Sequence, residues 1–169
     1  SLASLVFHEI AHNTLYVPSA TAFNESFAQY AGYRAAERYF LARGDTVKSE
    51  RAADRWHDEQ ILGEYYNQLV ARLDSLYGSK PDSAALEAGR AAAGEWVKTA
   101  LEGWVKDSVR TFKIGPVAAR SVNNAALVGV RIYRTELRLF EAWHLQHGGD
   151  VAASVAALAT LMEGAKGDE

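Results

Sequence analysis

The chain contains no cysteine. Disulfides, thiolate metal sites and cysteine nucleophiles are therefore excluded, while the redox compartment stays open. Proline is scarce, with three residues, so long helices meet few obligatory breaks. Neither sign of charge dominates: the net charge is −3, and no broad basic face invites nucleic acid or anionic lipid. No apolar run reaches the roughly 18 residues of a membrane span. The opening SLASLVFHEIAH does not read as a secretory leader, because it lacks a basic start and places a His-Glu pair where apolar residues should continue. It also has no Met and enters at once on a motif, so the natural protein is expected to extend upstream.

What is present is enough for one domain. The 169 residues, 49% of them hydrophobic and 23% charged, can bury a real core. Apolar spacing is helical throughout, with no alternating strand pattern and no internal repeat. The expected fold is an all-α bundle of about six helices. Residues 1–163 form a single helical domain and 164–169 a fraying tail.

The first helix runs from Leu2 to about Tyr16, with apolar residues at Leu2, Leu5, Val6 and Ile10. Pro18 breaks it, and Thr21 is suited to cap a second helix from about Phe23 to Arg43, which stops at Gly44. Asp45 can cap a third helix, with a stripe at Leu62, Tyr66, Leu69, Leu73 and Leu76. Gly78 and Pro81 end it. A fourth helix spans about Ser83 to Arg110, and KIGPVAARS reads as a loop. A fifth runs from about Asn123 to Gln146, and Gly148 and Gly149 separate it from a last helix, Asp150 to Met162. The Trp and Tyr residues at helical spacing read as core.

Chemistry concentrates in His8-Glu9-Ile10-Ala11-His12. Residues four apart share a helix face, so His8 and His12 can point at one metal ion. Glu9 stands about 100° round from His8, where a general base could take a proton from metal-bound water. Zinc would lower the pKa of that water to about 7. With this composition the pattern should arise by chance roughly 0.01 times in such a chain, which favours a metal site over two unrelated helical histidines.

A catalytic zinc takes three protein ligands and keeps one position open. The next turn of the same helix offers only Thr14, Leu15 and Tyr16, so the third ligand must come from elsewhere. Glu25 is the candidate. Pro18 and its neighbours can reverse the chain and lay the second helix antiparallel on the first, facing Glu25 toward the histidines. Taken alone, Glu25 could simply complement the dipole of a helix start.

HEIAH followed by NESFAQY resembles the gluzincin metallopeptidases, whose second motif is Asn-Glu-x-Phe-Ala. The segment FHEIAHNTLYVPSATAFNESFA is similar to the pattern of a bacterial family of zinc aminopeptidases, and a weaker likeness continues into NNAALVGVRIY and the last helices. The resemblance implies the helical zinc-binding part of a zincin-like peptidase. His8, His12 and Glu25 would be the ligands of one zinc, Glu9 the general base, and a peptide the substrate.

The two motifs lie closer together than in better-studied gluzincin aminopeptidases, so substrate contacts do not transfer. Many family members carry an upstream signal or lipid anchor, which implies the cell envelope. Gluzincins stabilise the carbonyl oxyanion with a downstream Tyr or His. Tyr133 is the candidate here, with a plain core tyrosine as the alternative. Asn123, Asn124 and Asn24 either support the site or cap helices, and capping is the simpler reading. Tyr30 and Tyr33 either line the cleft or fill the core. His57, His144 and His147 lie at polar or terminal helix positions, where the last two could pick up adventitious metal. Two other readings remain open at this point: a zinc-stabilised helical binding domain without catalysis, and a helical interaction domain without metal.

Overall fold

A computed structural model describes residues 1–115 and 132–165. The described residues are all-α, with six helices and no strand. They are α1 (Leu2–Thr14), α2 (Thr21–Leu41), α3 (Thr46–Gly78), α4 (Ser83–Ala100), α5 (Leu137–Gln146) and α6 (Val151–Ala165). A π-turn, Leu101–Val105, and a short segment, Lys106–Ser108, prolong α4. No described helix is long and apolar enough to cross a membrane. Asn123, Asn124 and most of the KIGPVAARS loop lie outside the described residues.

The helix ends follow local chemistry. Asp45, Asp82 and Asp150 accept backbone N–H bonds from Lys48, Ala85, and Ala152 and Ala153, the preferred chemistry of a helix start. Gly44, at φ 73°, takes the left-handed conformation that closes α2. Thr21 is not a cap. It is already helical, Ala20 holds the cap position without a side-chain bond, and Asn24 organises this corner instead. Its side chain accepts from Val17 N–H (2.9 Å) and donates to Val17 C=O (2.8 Å). That clamp removes the choice between a cap and a site residue: Asn24 ties the connecting loop to α2 beside Glu25.

Two apolar clusters form the core. One joins α1, α2, the first half of α3, α5 and α6 around Phe27, Tyr30, Trp56 and Phe140. The other joins the second half of α3 to α4 and its extension around Tyr65, Leu69, Leu101 and Val105. At 33 residues, α3 is about 50 Å long and reaches both. Buried Asp58 fastens the chain that leaves α4, accepting from the N–H groups of Arg110 (2.7 Å), Thr111 (2.7 Å) and Phe112 (3.0 Å).

Two further expectations need correction. The single helix expected over 123–146 is broken at residues 134–136 and restarts at Leu137 after Glu136, whose φ is 52°. The break is held by tertiary bonds: the Arg134 guanidinium donates to Glu59 at 2.8 Å, and Thr135 N–H donates to Ser26 Oγ at 3.2 Å. The apolar residues of α1 do not face the core. Leu2, Leu5, Val6 and Ile10 are each about half exposed or more, while Ser4 and Ala11 are its buried positions.

The second concerns His144, which is not peripheral. It is buried, with Nδ1 3.0 Å from the Tyr30 hydroxyl and 3.4 Å from Ser154 Oγ, so it is engaged in the core rather than paired with His147 for metal. Burial pushes its pKa below the usual histidine value, and the Arg34 guanidinium pushes the same way against the opposing carboxylates of Glu141, Glu37 and Asp150. A histidine depressed in the folded state binds protons more readily when unfolded. Its contribution is therefore present above the unfolded pKa of about 6.5 and is lost as pH falls from there through the lower folded pKa. The urea midpoint should fall between pH 7.5 and 5.5, and the fall should be shallower in His144→Gln at the same metal loading. Parallel pH profiles would remove His144 as the cause.

Candidate metal centre

The site is built where α1 and α2 cross. The pairing of Ser4 and His8 with Gly32, and of His12 with Glu25, shows that the two helices run antiparallel. Gly32 makes the close crossing possible. A Cβ there would lie 2.7 Å from the Ser4 carbonyl oxygen and 3.2 Å from both N and Cβ of His8. Only a hydrogen fits, so backbone rests on backbone one turn from a candidate ligand.

Across this crossing the side chains converge. His8 Nε2 and His12 Nε2 are 3.3 Å apart. Glu25 Oε2 is 3.4 Å from the first and 3.6 Å from the second. Among the described residues these three form one potential metal-holding cluster, with no fourth His, Asp or Glu in it. A tetrahedral ion with ligands at about 2.0–2.2 Å requires them about 3.3–3.6 Å apart. The observed edges match that frame, and two imidazoles with one carboxylate suit zinc. The three side chains are 15%, 25% and 20% exposed, shielded yet reachable.

A cavity of about 440 Å³ opens beside them, lined in part by His8, Glu9, Gln29, Tyr33 and Tyr133. Glu9 is exposed on α1, outside the cluster of potential ligands. Tyr133 is 42% exposed, so it is a wall of this cavity and not a core tyrosine. The break that follows it brings it there: Glu59, buried on α3, holds neighbouring Arg134. Tyr33 is both core and cleft, packing against the first cluster while lining the cavity. Burial, reinforced by the Glu59 charge and hydrogen bond, pushes its phenol up to about 12, so it stays protonated. Tyr30 is wholly buried.

A family model described as "Putative aminopeptidase" matches residues 1–169. The chain belongs to this family. No curated protein and no solved structure matches it. In this aminopeptidase-family chain, the structure therefore brings together His8, His12 and Glu25, and sets Glu9 and Tyr133 on one cavity beside them. Reading the sequence missed Gly32, Glu59 and Ser26. An isolated glycine within the helical run FAQYAGYRAA was the available signal for the first. Nothing local marks the other two.

Proposed function

We propose that this aminopeptidase-family chain is a zinc-dependent peptidase that removes residues from the amino end of peptides. The observation that carries the reading is the triangle of His8 Nε2, His12 Nε2 and Glu25 Oε2, with edges of 3.3, 3.4 and 3.6 Å. His8, His12 and Glu25 would hold the ion. Once bound, zinc polarises a carbonyl and makes water a nucleophile near neutral pH.

The remaining work falls to the chain. Glu9 takes a proton from the attacking water and delivers it to the departing amine. The Tyr133 hydroxyl donates to the carbonyl oxygen as negative charge builds there. Asn24 and Gly32 hold α2 in register with α1, so that Glu25 meets both histidines. A three-member cluster leaves a coordination position for substrate, which favours catalysis over a purely structural ion.

The purified protein should carry one zinc per chain by elemental analysis. It should shorten an unblocked peptide from its amino end, leave the acetylated copy intact, and lose this activity to a chelator. Protein without zinc, or hydrolysis that ignores acetylation, would overturn the reading. Glu25→Ala should raise the zinc Kd by at least about ten-fold, as expected when a ligand or its close support is lost. Unchanged metal retention would remove Glu25 from the ligand set.

A further inference from the structure

The cavity at the metal centre has a neighbour of about 470 Å³, and Tyr33 lines both. The walls of the second cavity include Phe40, Lys48, Arg51 and Arg55, and none of its lining residues is acidic. The sequence puts the two arginines four apart on α3, on one face. Nearby carboxylates are already engaged: Asp45 with Lys48 at 2.6 Å, Asp54 with Arg110 at 2.9 Å, and Glu59 with Arg134 at 2.8 Å. Arg51 and Arg55 have no carboxylate partner among the described residues. Arg55 rests over the Phe112 ring, 5.1 Å from its centroid, which partly orders its guanidinium. The first cavity presents Glu9; the charged side chains that line the second are all basic. A peptide that spans both cavities, with an amine at one end, meets opposite charges on the two sides of Tyr33.

We propose that the cavity lined by Arg51 and Arg55 is a subsite for a carboxylate of the peptide substrate. The inference rests on the peptidase reading and adds to it the substrate class: acidic peptides, or short peptides whose terminal carboxylate reaches the arginines. A guanidinium fork donates two parallel N–H bonds to a carboxylate. Tyr33, kept protonated, offers a neutral hydrogen-bonding wall between the two cavities.

Calorimetry on the zinc-loaded Glu9→Gln protein separates binding from turnover. Three probes are compared: a glutamate-containing tripeptide amide, its glutamine counterpart, and the glutamine tripeptide as a free acid. The amide with glutamate isolates a side-chain carboxylate, and the free acid isolates the terminal one. At least one carboxylate probe should bind about ten-fold tighter than the neutral amide, the yield of one charge-assisted contact. That advantage should vanish in Arg51→Gln and Arg55→Gln and be only partly kept in Arg55→Lys, which retains the charge but loses the fork, while binding of the neutral amide stays unchanged.

Equal binding of all three probes, an advantage that survives both glutamine variants, or no binding at all would overturn the subsite. Arg51 is exposed, so its variant should fold even if Arg55→Gln does not. Arginine-dependent binding in a protein that hydrolyses no peptide before the Glu9 change would sink the peptidase reading alone.

Discussion

Replacing Glu9 by glutamine should abolish peptide hydrolysis and leave zinc in place. The two halves of this result separate base from ligand. Glu9 lies one residue from His8 and lines the same cavity, yet it is outside the cluster that His8, His12 and Glu25 form. Glutamine preserves its size and hydrogen bonding but cannot take a proton at neutral pH. General-base catalysis contributes about 10²–10⁴-fold, so kcat should fall by at least about a hundredfold while elemental analysis still finds one zinc per chain. Activity within a few-fold of the native protein would remove Glu9 from the mechanism. Loss of zinc would instead make it part of the metal's coordination.

The second large effect is expected far from any reacting atom. Gly32→Val should both destabilise the protein and loosen the metal. The obstacle is the Ser4 carbonyl, 2.7 Å from where a Cβ would sit. It belongs to the backbone of α1 and cannot rotate away as a side chain could. Relief requires the two helices to separate, and overpacking of this kind costs about 1–3 kcal/mol, or roughly 3–10 °C in Tm for a domain of this size. Because His8 touches the same position, separation also lengthens its distance to Glu25. Zinc affinity, measured by chelator competition, should fall about ten-fold or more, as with other losses of ligand support. A variant with native Tm and native affinity would show that α1 slides freely on α2.

The convergence of His8, His12 and Glu25 was legible because it depends on covalent spacing. His8 and His12 share a face on any helix, and the short, proline-containing link to Glu25 leaves the second helix little choice but to return along the first. What surrounds the ligands was less legible. The stretch Tyr133 to Leu137 contains no glycine or proline, so nothing local announces a break. Glu59 and Ser26, distant in sequence, impose it. The packing face of α1 was not announced by its apolar residues: the helix packs through Ser4 and Ala11, because small residues permit the closest approach at Gly32. His144 looked peripheral because histidine is polar, and only the fold supplies its Tyr30 partner. Arg51 and Arg55 likewise gain significance only when Tyr33 of α2 separates them from the metal pocket.

For the proposed ion, the crossing of α1 and α2 would also act as a gauge of size. Two backbones in contact cannot breathe as two long side chains can, so the edges of 3.3 to 3.6 Å form a nearly fixed frame. An ion with bonds of about 2.0–2.2 Å drops into it. Calcium, at about 2.3–2.6 Å and preferring six to eight oxygens, would have to spread the helices and accept two nitrogens. Under the zinc reading proposed above, the missing side chain of one glycine would help to set the choice between cations.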